Sequence, residues 1–160
     1  GQPKSKYGYR DRAGAADGTS LTAIGLLCRY YADDWKAETA GFAQGVKGLM
    51  KRAPSAERRG RGALDLYYYY YATQVVRYHG GDEWKLWNEG EVRGDARKGG
   101  MADWLISLQD RSPEQRGSWA PFGDQWIGGN CGRLGTTCLC LLTLEVYYRY
   151  DPKTAQKGDK

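Results

Sequence analysis

Histidine is almost absent from this sequence: His79 is the single one in 160 residues. With one imidazole and no G-x-S-x-G string, no serine is set up as an activated nucleophile. His79 stands beside Gly80 at the end of a helical pattern, where an imidazole satisfied locally or by water is a plainer reading than a metal ligand. Cysteine is sparse as well. Cys28, Cys131, Cys138 and Cys140 include no C-x-x-C pair of the kind that brings two thiolates to one metal. Cys138 and Cys140 point in different directions on a helix. All but Cys131 lie in apolar helical stretches, where a free Cys acts as a small core residue. No metal site, no cofactor and no particular redox compartment follow from these residues.

Long apolar runs are missing too. The longest uncharged run, near residues 134–144, falls short of the roughly eighteen residues that open a membrane-span reading. No signal-peptide pattern opens the chain. Beginning at Gly1 without Met, it reads as an excised or processed piece of a larger protein, with no compartment assigned. Basic residues exceed acidic ones only mildly, 24 to 19, for a net charge of +5 and a pI near 9.0. A bias of that size is no nucleic-acid footprint. Much of it sits in residues 51–61 (KRAPSAERRGR), whose Pro and Gly make a solvated loop. Gly128, Gly129 and Gly132 do not form a phosphate loop.

What the chain does have is tyrosine. Five of its thirteen stand together, Tyr67, Tyr68, Tyr69, Tyr70 and Tyr71, inside residues 64–81 (LDLYYYYYATQVVRYHGG). The Gly80-Gly81 stop, the length and Asp65 in the first turn predict a helix, against the β-propensity of Tyr. Tyr67 and Tyr71 then share a face with Leu64 and Gln74. A helix aromatic on every side is expected between other helices rather than on a surface. Two similar segments supply the neighbours, residues 19–31 (TSLTAIGLLCRYY) and 133–150 (RLGTTCLCLLTLEVYYRY). Thr22, Leu26 and Leu27 align with Thr137, Leu141 and Leu142, with Val75 and Val76 in the equivalent place. The steps are 49 residues from Leu26 to Val75 and 66 from Val75 to Leu141, a degenerate repeat.

At this length one domain with its own core is expected. Residues 1–18 read as a polar, Gly-rich loop carrying Tyr7-Gly8-Tyr9. Buried helices are predicted at about 20–31, capped by Thr19 or Ser20, and at 64–79 and 133–150. Half-exposed helices are predicted at about 39–52 and 82–109. In the first of these, Phe42, Val46, Leu49 and Met50 form a stripe, and Gly41, Gly45 and Gly48 suit close helix contact. The second, carrying Trp84 and Trp87, is interrupted by charged, Gly-rich residues 89–100. A long loop at 110–132 holds Trp119 and Trp126, and residues 151–160 form a basic flexible tail. Buried helix, half-exposed helix and loop alternate, which is an all-α repeat pattern.

One constellation is specific. Trp104-Leu105, three residues, Gln109, then Gly117-Ser118-Trp119, with Lys98-Gly99 upstream, resembles the QW repeat motif of the squalene cyclase and prenyltransferase families. The spacers are longer than in that motif: four residues separate Gly99 from Trp104, and seven separate Gln109 from Gly117. In the first repeat Leu49-Met50 takes the aromatic-aliphatic place, and Pro54 stands where Gln is expected. Physically, a Gln amide at a helix end can bond the orphan amides opening the next helix while Trp covers the junction. Residues 7–150, above all LYYYYYATQVVRYHGGDEWKLWN and GRLGTTCLCLLTLEVYYRY, are similar to large bacterial proteins with prenyltransferase/squalene-oxidase repeats, in the terpenoid cyclase/protein prenyltransferase superfamily. The resemblance implies an all-α, partial α/α toroid. The three buried helices would be inner ones, wrapped by the half-exposed outer ones, in an arc of about two and a half repeats.

The chemistry of those families is a separate matter. The Asp-x-Asp-Asp string that protonates squalene in cyclases is missing, as is the Asp, Cys and His zinc set of protein prenyltransferases. Asn130-Cys131-Gly132-Arg133 is not the Cys-Gly-Glu-Gln string of thioester relatives. Asp33, Asp34 and Glu38 resemble the Asp-rich motif that binds diphosphate through Mg²⁺, and equally suit the solvated end of a helix. The expectation is therefore a non-catalytic repeat domain acting as a scaffold or binding surface. Tyr67 to Tyr71, with Tyr30-Tyr31, Tyr147-Tyr148, Trp119 and Trp126, form the aromatic candidate surface for an isoprenoid or a glycan. The alternatives are an isoprenoid-processing enzyme with catalytic residues elsewhere, and carbohydrate processing. The apolar edges of an incomplete ring predict self-association or docking to the rest of a larger chain.

Overall fold

The computed structural model describes residues 5–9, 15–54, 65–121 and 127–149, and within them the chain is an all-α domain with extensive helix packing and one small hairpin. Helix α1 is Ser20–Ala32, α2 Ala40–Met50, α3 Leu66–His79 and α4 Gly81–Glu89. A hairpin of β1 (Gly90–Arg93) and β2 (Ala96–Gly99) follows, then α5 (Met101–Leu108), α6 (Ile127–Leu144) and the single turn α7 (Val146–Arg149). Among the described residues no helix is long and apolar enough to cross a membrane.

The helix ends follow from local chemistry. The Thr19 hydroxyl accepts the Thr22 N–H over 3.2 Å at the start of α1. The Asp65 carboxylate accepts the Tyr68 N–H over 2.9 Å at the start of α3, satisfying an amide that has no partner within its helix. Gly80 ends α3 at φ 74°, a left-handed backbone that a side chain would resist.

The Tyr helix lies at the centre. Helix α3 packs against α1 on one side and α6 on the other, the two most extensive helix contacts in the fold. Helix α2 touches both α1 and α3, α4 lies on α3, and α5 bridges α4 and α6. Leu26 of α1, Phe42, Val46 and Leu49 of α2, and Val75 and Val76 of α3 are fully buried together. Each such side chain contributes about 1.5–3 kcal/mol by leaving water. Gly45 lets α1 and α2 approach: a Cβ there would lie 2.6 Å from the Leu26 methyls.

Three sequence expectations change. The interruption expected at 89–100 within the outer helix 82–109 is there, but it is an antiparallel hairpin rather than a loop, Gly90 opposite Gly99 and Arg93 opposite Ala96, so α4 and α5 are two separate helices. The last buried helix begins at Ile127 rather than 133, and Gly132 (φ 57°) kinks it near the predicted start. Cys28 and Cys138 are exposed rather than core residues, and Cys131 lies in α6; Cys140 alone of the four is buried.

Candidate functional site

The five tyrosines separate by face. Tyr68 and Tyr69 are core residues. The Tyr68 hydroxyl donates to the Leu49 carbonyl over 2.9 Å, and the Arg52 guanidinium sits 4.3 Å above its ring. Tyr69 meets Trp104 edge to face, 4.9 Å between ring centres. Tyr67 is exposed, with its ring edge-on to Tyr71 at 4.9 Å, and Tyr70 and Tyr71 are half-buried. The phenol of Tyr71 titrates high, pushed up to about 12, first by loss of solvent and then by its hydrogen bond to Tyr67.

Tyr70 and Tyr71 open onto a groove between α3 and α1. It encloses about 490 Å³ and is lined by Ile24, Leu27, Cys28 and Tyr31 of α1 and by Tyr70, Tyr71 and Gln74 of α3. On α1 these residues follow a spacing of three and four, the period of one helix face. The far end of the groove is fixed by aromatic contacts. Tyr30 stacks on Tyr78 at 4.1 Å, and the Tyr31 and Tyr78 hydroxyls are hydrogen-bonded. The volume falls in the range of small-molecule sites. Its wall is aliphatic and aromatic, with phenol hydroxyls, one thiol and one amide as the polar groups.

A second hollow of about 330 Å³ lies between α2 and α4, walled by Lys47, Met50, Asp82, Glu83 and Leu86. Its rim carries charges of both signs, as solvated helix faces do.

The repeat-motif residues do come together, in a different way from the sequence expectation. The Trp119 indole, 2 % exposed, donates to the Leu105 carbonyl over 2.7 Å. The Gln109 amide donates to the Gly117 carbonyl over 3.0 Å, and Gln109 and Trp119 form a single β-bridge. Trp104 and Leu105 are buried. Gln109 thus ties the loop to the end of α5 rather than capping the next helix. Trp119 is a buried strut, not a ring offered to a ligand. Arg133 holds the same loop to α6 through Asp110 at 3.1 Å and Ser118 at 2.8 Å. The Asp110 carboxyl lies below its usual range because Ser112 and then Arg133 bond its charged form. Trp126 lies outside the described residues.

Neither a family model, nor a curated protein, nor a solved structure matches this chain.

The remaining candidates are dispersed. Asp33 pairs with Arg29 and Asp34 with Lys36, so these two carboxylates already have cations. His79 lies 3.8 Å from Glu83, with its Nδ1 buried and unbonded. Among the described residues no three His, Cys, Asp or Glu side chains are grouped to hold a metal ion. Of the basic loop, Lys51 pairs with Asp17 at 2.6 Å and Arg52 with the Gly18 carbonyl at 2.7 Å; residues 55–61 lie outside the described residues. Sequence reading found the Tyr71–Gln74 face of the groove and Tyr31 opposite it, and missed Ile24, Leu27 and Cys28 of the α1 wall. The period of Ile24, Cys28 and Tyr31 was the available signal.

Proposed function

We propose that this domain is a non-catalytic helical-repeat module whose groove between α1 and α3 binds an elongated apolar ligand of the isoprenoid kind. The observation that carries the reading is the groove wall: Ile24, Leu27 and the rings of Tyr31, Tyr70 and Tyr71. An apolar chain gains about 25 cal/mol for each Å² it removes from water on such a wall. A glycan needs several directed polar partners, and among the described residues that line the groove Gln74 is the single amide. No carboxylate, ammonium or imidazole is among them either, which favours binding over turnover.

The neighbour relations support an α/α-toroid arc. Helices α1, α3 and α6 stand side by side, α2 backs the first pair, and α4 with α5 backs the second. In that arrangement α1, α3 and α6 are inner helices, and the groove lies between two of them. The domain acts as a binding scaffold within a larger assembly.

Cys28 supplies the test, because its thiol is exposed in the groove while those of Cys131 and Cys138 are exposed elsewhere. Farnesol is expected to slow alkylation of Cys28 in a saturable way and leave Cys131 and Cys138 unchanged. Maltohexaose is expected to protect none of them. Cys28→Trp, which fills the groove, should abolish farnesol binding measured by calorimetry. Equal alkylation of Cys28 with and without farnesol, or protection by the glycan instead, would overturn the proposal.

A further inference from the structure

Helix α6 packs on α3 along one face and is bordered by α5 and the 110–119 loop along a second, and among the described residues a third face, apolar as well, stays open. Residues 134–144 (LGTTCLCLLTL) carry no charge, and a helix without a polar face ordinarily has neighbours on both sides. Helix α3, the comparable segment, has α1 and α6. Helix α6 buries Thr136, Cys140 and Thr143, but on its opposite face Leu134 is 76 % and Leu141 45 % exposed, with Cys138 exposed between them. These three are spaced by four and three residues, the seam spacing of paired helices.

We infer that this face pairs with the same face of a second copy of the chain, α6 antiparallel to α6 about a two-fold axis close to Cys138. The seam is complementary to itself in that orientation. Leu134 and Leu141 flank Cys138 almost evenly, so each Leu134 meets the other copy's Leu141 and the two Cys138 thiols lie together near the axis. Small side chains at Gly135 and Cys138 let the backbones approach, while Thr137, whose hydroxyl accepts the Trp119 N–H over 3.1 Å, borders the seam on the loop side. The uncharged run brings no like charges together, so pairing leaves no buried ion unpaired.

Head-to-tail stacking, with α6 of one copy on α1 of the next, is obstructed on the α1 side. Tyr7 lies across the flank of α1 turned away from Leu27. Its N–H donates to the Thr22 hydroxyl over 3.1 Å, and its hydroxyl accepts from Arg29 Nε over 3.2 Å. Its ring fills the space of a Cβ at Gly25, 2.4 Å from where that atom would be. Among the described residues, one end of the helix row is thus closed by the chain itself and the other is open. An isologous pair closes at two copies, whereas a heterologous contact would continue. None of the seam residues lines the ligand groove, so the pairing stands apart from the proposed ligand.

Sedimentation velocity of the 160-residue chain over a concentration series tests the pairing, with circular dichroism to verify that each variant is folded. The wild-type chain is expected to form a dimer and nothing larger. Leu134→Lys or Leu141→Glu alone should weaken it by at least about a hundredfold, since each places an unpaired charge in the seam. The double variant Leu134→Lys/Leu141→Glu should restore it, because antiparallel pairing sets each new Lys against the other copy's new Glu. A chain that stays monomeric at high micromolar concentration would overturn the inference. So would a dimer indifferent to both single changes, a double variant that fails to recover, or an open-ended ladder of oligomers.

Discussion

The indole N–H of Trp119 donates to the carbonyl oxygen of Leu105, fourteen residues earlier, across 2.7 Å of buried space. That carbonyl is left over because Gln109 N–H, its partner in a regular helix, turns instead to Ile106 at 3.3 Å. The loop from 110 to 119 therefore ends α5 by supplying a donor from a side chain, and the buried ring fills the space beside it. Trp119→Phe keeps most of the ring and removes the donor. It should destabilise the fold by about 1–3 kcal/mol, the cost of an orphaned buried carbonyl. Urea unfolding at constant slope gives this value. A change below a few tenths of a kcal/mol would mean that the hydrogen bond does not hold the loop.

The Tyr run makes a second, paired prediction. Tyr68 is fully buried and donates to the Leu49 carbonyl, while Tyr67, one residue earlier, is exposed beside Tyr71. Tyr68→Phe should cost about 1–2 kcal/mol, and Tyr67→Phe should stay within about 0.5 kcal/mol of wild type. Equal effects in thermal melts would show that the run does not divide by face.

Much of this arrangement was legible in the residues. Thr19 and Asp65 read as helix starts and Gly80 as a stop, and a helix aromatic all round called for two flanking helices, which α1 and α6 provide. The hairpin was not legible: GEVRGDARKG lacks an alternating apolar face, and Val92 is largely exposed, so pairing there rests on the turn at Gly94-Asp95 and backbone bonds. The glycines of residues 128–132 masked the start of α6, since a Gly-rich stretch reads as loop until tertiary packing selects helix. The groove was half legible, because helical period places Tyr71 with Gln74 but cannot say which helix faces them. The exposure of Cys28 and Cys138 was hidden for the same reason: both sit in apolar sequence, and only the packing decides which face is left open.

Gly25 should be sensitive in an informative way. Any Cβ there would meet the Tyr7 ring, whose nearest atom is 2.4 Å away. Gly25→Ala gains helix propensity of about 1 kcal/mol, yet it must displace the ring that covers this flank of α1. Proteolysis near Tyr7 should speed up in the variant while α1 stays helical by circular dichroism. Unchanged cleavage with raised stability would show that Tyr7 does not brace the helix.

Tyr71 ties stability to alkaline pH. Burial, then the hydrogen bond to Tyr67, raise its phenol from the ordinary 10.0 to about 12 in the folded chain. Between those values the unfolded chain has lost this proton and the folded chain still holds it. The unfolded state therefore binds fewer protons, and stability must fall as pH rises across that window. Below pH 10 the contribution is fully present. Ultraviolet titration of the folded protein should show Tyr71 among the phenols that ionise late, and Tyr71→Phe should lower the amplitude of that late step by one phenol. The variant should also flatten the loss of stability between pH 10 and 12 measured by denaturant titration. If the amplitude of the late step is unchanged in Tyr71→Phe, the Tyr71 phenol is not among those held back, and the desolvated wall of the groove does not lie where Tyr71 stands.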